Sequence, residues 1–276
     1  MPELPEVEHV VRALAKAVTG RRIVAADLRL ARLSPATSRS TFKRKLKGAR
    51  IESVDRRGKY ILLHLDSAAV LMVHLRMTGK FVRLNADQDL PPHAHAIFYL
   101  DDEHRLVFCD MRQFGRMNIV TRAKLFATRE LSQLAPEPLL DEFTPDYLHT
   151  TLSKSRRSLK TLLLDQTRIL GLGNIYAAEA LFLARISPFA VAASLSKART
   201  LRLHQAIRDV LEEAIESGST LRIDLADGGS SYFGSLDKFW RVYEREGEPC
   251  VNCGTRIRRV VQAARSTYYC PRCQRC

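Results

Sequence analysis

Met1-Pro-Glu-Leu-Pro-Glu-Val-Glu8 opens the chain, and the periodicity that runs out of it sets the architecture. Val7, Val10, Val11, Leu14 and Val18 recur at helical spacing, and Gly20 stops the pattern. Pro5 suits the first helical position, where a missing N–H is no loss. The helix so predicted buries one stripe and fixes Pro2 and Glu3 just upstream. Read alone, this is an ordinary helix entry, because proline and acids suit the positive end of the helix dipole. It also admits chemistry. If Met1 is removed, Pro2 carries a secondary amine that can attack an electrophilic carbon and collapse to an iminium. An α-amino group titrates near pH 8, roughly two units below a lysine, so an appreciable fraction is neutral at pH 7. Glu3 and Glu6 stand beside it as proton carriers.

From Arg22 to about Val120 the period changes. Arg22–Leu30, Arg50–Asp55, Lys59–Leu65, Ala69–Leu75, Lys80–Leu84, His95–Leu100 and Arg105–Cys109 read as strands, with turns at Gly58, Asp66-Ser67, Gly79 and Asp101-Asp102. Many short strands with such punctuation predict an antiparallel sandwich or barrel. Two turns stand out. Arg56-Arg57-Gly58-Lys59-Tyr60 sets cations around a glycine. Asp110-Met111-Arg112-Gln113-Phe114-Gly115-Arg116 sets cations beside a phenylalanine at a strand end. Each is either a charged turn or, more sharply, a wedge that enters a duplex while arginine replaces a lost base's hydrogen bonds. Met77, in His74-Leu-Arg-Met-Thr-Gly79, is a second apolar wedge or plain core. His93 and His95 are two apart at a strand start and are expected on one face, as a phosphate contact or a surface pair.

Pro136 and Pro138 mark a linker, after which the pattern turns helical. Thr144 reads as a cap before Pro145. Thr151-Leu-Ser-Lys-Ser-Arg-Arg-Ser-Leu-Lys160 holds Lys154, Arg156, Arg157 and Lys160 and no acid. Leu159, Leu162, Leu163 and Gln166 continue as a helix. Gly171-Leu-Gly-Asn174 is a tight turn into a helix over 175–184, and such a turn presents N–H groups to an anion. Ser196 to Ser217 reads as a long amphipathic helix. Residues 225–234, with Tyr232 and Phe233, read as a glycine-rich loop, either a linker or a stacking element.

Composition narrows the class. Of 276 residues, 44 are Lys or Arg and 30 Asp or Glu, a formal charge of +14, which points to a polyanionic partner, nucleic acid before membrane. No apolar stretch approaches the roughly 18 residues of a membrane span, and the acidic, proline-rich start is not a signal peptide, so an intracellular protein is expected. Five of six cysteines follow residue 249. Cys250-x2-Cys253-x16-Cys270-x2-Cys273 is the spacing of a closed, structural, tetrahedral zinc site. Between the pairs lie Arg256, Arg258, Arg259 and Arg265 and no acid, a basic hairpin. Cys109 reads as a buried apolar residue. The whole divides into a β-rich domain over 1–130, a linker over 131–140, a helical domain over 141–236 and a metal module over 237–276.

Taken in order, these motifs resemble the bacterial formamidopyrimidine-DNA glycosylases, end to end. The likeness rests on residues 1–8, Gly58-Lys59-Tyr60, Arg112-x-Phe114-Gly115, Gly171-Leu-Gly-Asn-Ile-Tyr-Ala-Ala-Glu179 and the four-cysteine segment with Arg265-Ser-Thr-Tyr-Tyr-Cys270. The resemblance implies an α+β fold in two domains: a β-sandwich flanked by helices, then a helix–two-turn–helix domain with a zinc finger holding one structural Zn2+. It implies removal of oxidised purines (8-oxoguanine, formamidopyrimidines) from damaged double-stranded DNA, with strand cleavage, by a cytoplasmic, nucleoid-associated monomer. Pro2 would be the nucleophile, Glu3 the acid/base, Lys59 tied to base recognition and β-elimination, Arg265 to δ-elimination. Met77, Arg112 and Phe114 would fill the gap left by the flipped nucleotide. His93, Lys154, Arg156, Lys160 and Asn174 would contact phosphates, and the 225–234 loop would cover the extruded base.

The chain departs from the pattern twice. His74-Leu-Arg-Met77 stands where His-Leu-Gly-Met is usual, and Met111-Arg-Gln-Phe114 where Pro-Arg-Arg-Phe is usual, a cation lost at Gln113. The rival reading is the sister family resembling endonuclease VIII, which acts on oxidised pyrimidines; Leu4 and the Arg112-x-Phe114 pair favour the purine enzyme. A non-catalytic zinc-finger DNA binder would need neither Pro2, Glu3 nor Lys59.

Overall fold

Helix α1 spans Leu4–Val18 and turns Leu4, Val7, Val10, Val11, Leu14 and Val18 into the core. Each such side chain, fully buried, is worth roughly 1.5–3 kcal/mol. Glu3, not Pro5, opens the helix. The Glu3 N–H donates to Glu6 Oε2 at 2.8 Å and the Glu6 N–H donates back to the Glu3 carboxylate, a capping box, with Pro5 one residue further in than expected. The computed structural model describes residues 2–217 and 240–275. The 225–234 loop, with Tyr232 and Phe233, lies outside them.

The chain divides into two compact units, over residues 2–132 and over 133–217 with 240–275 among the described residues. The first is a sandwich of two antiparallel sheets. One has the order β2 (Ile51–Arg57), β3 (Tyr60–Leu65), β4 (Ala69–His74), β8 (Arg116–Thr121). The other has the order β1 (Ile23–Leu28), β6 (Ala94–Leu100), β7 (His104–Asp110), β5 (Gly79–Asn85). Ile61, Leu63, Leu71, Val73, Met117 and Ile119 of the first sheet meet Ile23, Phe81, Phe98, Leu106 and Phe108 of the second in one core. Helix α1 packs on β2, and a short helix α2 (Arg39–Leu46) packs on β1. Neither α2 nor β8 is among the elements read from sequence.

In the second unit, Thr144 caps α3 (Pro145–Ser153), its hydroxyl accepting from the Tyr147 N–H. Helix α4 (Leu159–Leu163) is short, α5 covers Asn174–Leu183 and α6 covers Lys197–Glu216. Helix α5 is buried on nearly every side, between α6 and the hairpin β9 (Arg258–Gln262)–β10 (Arg265–Tyr269). Its Glu179 is 1% exposed and accepts the N–H groups of Arg241, Val242 and Tyr243, each at 2.9 Å. Burial pushes this carboxyl above its ordinary pKa even so. The contact ties the start of the metal module to the helix.

Candidate active site and nucleic-acid interface

Strand register gathers the sandwich's candidates. Tyr60 pairs with His74, and His74 with Arg116. The β2–β3 turn with Gly58 and Lys59, the turn after β4 with Arg76 and Met77, and the loop before β8 with Arg112 and Phe114 therefore lie at one end of one sheet. Helix α1 is pinned toward the same end: Glu8 accepts from Arg56 Nε at 2.7 Å and from Arg12 Nε at 2.8 Å. Burial opposes the charge on Glu8, but the two guanidiniums hold its carboxyl below the ordinary range. Glu3 and Lys59 are both buried, at 3% and 5% exposure. A carboxyl group and an amine withdrawn from water are chemically able to move protons.

His74 records the field at this end. Burial, then the charges of Arg76 and Lys59, lower its pKa to about 3. The Arg76 N–H donates to its Nδ1 at 3.0 Å, so the neutral ring carries its proton on Nε2. Arg76 has φ 55, a left-handed conformation that glycine adopts without the steric cost a side chain brings. A cavity of about 170 Å³ opens beside it, lined by Tyr60, His74, Arg76, Arg116 and Asn118 among others.

The loop before β8 hangs on Asp110, which is 1% exposed. Asp110 Oδ2 accepts the Gly115 N–H at 2.7 Å, and Oδ1 accepts the Thr78 hydroxyl, whose oxygen accepts the Arg112 N–H at 3.0 Å. Gly79 and Gly115 pass so close to the Phe108 ring that a Cβ on either would lie 2.8 Å from it. On this footing Met77, Arg112 and Phe114 all remain exposed, with the Arg112 guanidinium 5.0 Å from the centre of the Phe114 ring. Gln113 does not leave the loop with one cation: Arg32, from the 3₁₀ turn Ala31–Leu33, donates to its Oε1. No local pattern announces a partner 81 residues away.

The two histidines do not share a role. His93 is exposed at φ 61, before β6 begins; His95 is buried and its Nε2–H donates to the Asp110 carbonyl at 2.9 Å. A break in register between Ala94 and Ala96 defeats the alternation expected of a strand start.

In the second unit the basic run splits. Lys154 and Arg156 are exposed, and Arg157 pairs with Asp165 at 2.8 Å. Lys160, expected at a phosphate, is instead 1% exposed: its Nζ donates to the Ser266 carbonyl and the Thr267 hydroxyl, both at 2.7 Å. Asn174, at the start of α5, donates to the same Ser266 carbonyl at 2.9 Å. These contacts hold the residue after Arg265, which is exposed. Gln166 lies beyond α4 rather than in it. It braces the glycine turn, accepting from Gly171 N–H at 3.0 Å and donating to the Leu172 carbonyl at 2.8 Å.

The thiols of Cys250, Cys253, Cys270 and Cys273 lie within 4.8 Å of one another, with Sγ–Sγ distances of 3.9 Å for Cys250–Cys273 and 3.5 Å for Cys253–Cys270. Tetrahedral zinc at about 2.3 Å from each sulfur needs edges of roughly 3.8 Å. The donor set fits one zinc ion. With all four positions filled by protein, the metal is structural.

Three family models match in sequence: the formamidopyrimidine-DNA glycosylase N-terminal domain over residues 1–117, its H2TH domain over 134–224, and the zinc finger found in FPG and IleRS over 247–275. The formamidopyrimidine-DNA glycosylase of Heliobacterium modesticaldum is 44% identical, covering 100% of both chains. The chain belongs to the formamidopyrimidine-DNA glycosylase family. The Bacillus subtilis member is 42% identical over 99% of each chain. Among solved structures, Lactococcus lactis formamidopyrimidine-DNA glycosylase bound to DNA containing an abasic site superposes with TM-score 0.89 at 32% identity, over 99% of each chain. MutM in complex with DNA carrying carbocyclic 8-oxo-G gives TM-score 0.89 at 33% identity, over 99% of this chain and 100% of that one. Among the described residues, no helix is long and apolar enough to cross a membrane.

Proposed function

We propose that this family member is a bifunctional glycosylase and lyase that removes oxidised purines, 8-oxoguanine and formamidopyrimidines, from damaged double-stranded DNA. What supports the reading most is the register that sets Lys59, Met77, Arg112 and Phe114 at one sheet end, with α1 pinned toward it by Glu8 and Arg56. The target carbon is shielded inside the duplex, so the nucleotide is swung out at a cost of a few kcal/mol. Met77 and Phe114 fill the gap, and Arg112 meets the orphaned cytosine. His93, Lys154, Arg156 and the N–H groups at the start of α5 grip phosphates.

With Met1 removed, the lone pair of the Pro2 nitrogen forms a bond to C1′. The glycosidic bond breaks, and the base leaves with its electron pair and takes up a proton. Glu3 takes the proton from the Pro2 nitrogen and delivers it to the sugar ring oxygen as the ring opens, and the freed nitrogen lone pair gives the iminium. Loss of a C2′ proton expels the 3′ phosphate, with Lys59 near the transfer. A second elimination, assisted by Arg265, expels the 5′ phosphate. Zinc holds the finger and takes part in none of these steps. The protein acts as a monomer.

Borohydride trapping tests this. Duplex DNA with 8-oxoguanine opposite cytosine is incubated with the protein and reduced. A covalent adduct is expected, and Pro2→Gly abolishes it. An adduct formed only with oxidised-pyrimidine DNA would move the assignment to the sister specificity. Binding without any adduct would leave a non-catalytic DNA binder.

A further inference from the structure

We propose that Arg32 contacts DNA beside the loop that carries Arg112 and Phe114, held in place there by Gln113. The proposal rests on the DNA reading of that loop given above. Arg32 belongs to a 3₁₀ turn whose next residues, Leu33 and Ser34, are each 1% exposed, so the turn is anchored while Arg32 itself stays exposed.

Gln113 sits at φ 55. For a residue with a Cβ this conformation is sterically disfavoured, and it persists only where the surroundings impose it. Two bonds impose it here. The Gln113 N–H donates to the Asp110 carbonyl at 3.2 Å, and its Oε1 accepts from Arg32 Nη2. The second bond joins an element 81 residues away to the residue between Arg112 and Phe114.

A guanidinium has five N–H donors in a planar fork, and the bond to Gln113 engages one. The rest of the fork, beside a loop that carries Arg112, has the geometry that takes a phosphate oxygen pair. An uncharged donor would serve as well if bracing Gln113 were the whole role. The chain thus restores, from a distant turn, the charge its loop lacks at position 113.

The test is the salt dependence of binding to a duplex bearing a tetrahydrofuran abasic analogue, which cannot be cleaved, between 50 and 200 mM KCl. One phosphate contact contributes about 0.9 to the slope of log K against log salt. Arg32→Ala should lower the slope by about one, and Arg32→Lys should keep it. Gln113→Ala should lower it as Arg32→Ala does, and the double variant should fall no further than either single one. An unchanged slope in Arg32→Ala, or additive losses in the double variant, overturns the proposal. Adduct trapping with wild type runs alongside. A wild type that traps while Arg32→Ala keeps the full slope defeats Arg32 alone. A wild type that fails to trap while Arg32→Ala loses slope defeats the glycosylase reading and leaves the contact standing.

Discussion

The loop before β8 and the tip of the β9–β10 hairpin each present exposed cations, yet they stand on different ground. The first rests on a packed core. Asp110 is buried under it, and Gly79 and Gly115 press against Phe108. The second belongs to a module with few apolar residues, among them Val242, Ile257 and the cysteines themselves. Its order comes from a four-thiolate metal site at the base and from Lys160 and Asn174 converging on one carbonyl beside the tip. A functional loop can therefore be made rigid by packing or, where apolar surface is scarce, by metal and charged hydrogen bonds. The second route makes the finger sensitive to conditions the sandwich ignores.

The largest break in that contrast is metal removal. Zinc binding to such sites is worth about 10–16 kcal/mol, so chelation should unfold the hairpin and abolish DNA binding while β1–β8 keep their amide protection. Hydrogen exchange on the chelated protein checks this, and equal loss of protection in both units would contradict it. Next is Lys160→Met. Two bonds from a buried ammonium are lost, each such bond to a charged group being worth about 1.5–3 kcal/mol. Thermal unfolding should report a loss of that order, and the proposed strand cleavage should fall with Arg265 no longer held.

The sandwich end has its own lever, pH. His74 titrates near 3 when folded and near 6.5 when unfolded, so below pH 6.5 the unfolded chain gains a proton that the native state refuses. Its cost to stability is absent above pH 6.5 and grows as pH falls. Between pH 7 and 5 this amounts to about 2 kcal/mol, at about 1.4 kcal/mol per unit. Urea titrations at the two pH values should show it, and His74→Gln should flatten the dependence. The smallest effect is at the hairpin tip. Ala263 and Ala264 have φ 49 and 58, the pair of left-handed residues that tight hairpins usually build from Asn-Gly. Ala264→Gly should stabilise the module by about 1 kcal/mol, read as a rise in its midpoint.

What the sequence disclosed were features with a local signature. The α1 stripe, the Thr144 cap before Pro145 and the paired cysteines are each legible within a few residues, because helical spacing, capping and metal geometry are short-range. Helix α2 was hidden by its composition: only Phe42 and Leu46 are buried, in a stretch otherwise polar and cationic. Strand β8 was hidden behind the charged turn that precedes it. Lys160 reads as a phosphate ligand because a basic run looks the same whether a cation faces solvent or packs from a helix onto a strand. Its partners lie 106 and 107 residues on. Asp110, Glu179 and Arg32 also work through contacts distant in sequence, up to 32, 64 and 81 residues away. His95 looks like a surface partner of His93 in sequence because the bulge between them leaves no mark in residue type.

The proposed chemistry turns on a secondary amine at Pro2 that forms the bond to the lesion's sugar. The direct measurement is mass mapping of the borohydride-reduced adduct formed with 8-oxoguanine DNA, alongside the intact mass of the active protein. Met1 should be absent and the sugar remnant should sit on the Pro2 nitrogen. A remnant on Lys59 or another lysine, or full activity with Met1 still attached, would contradict it.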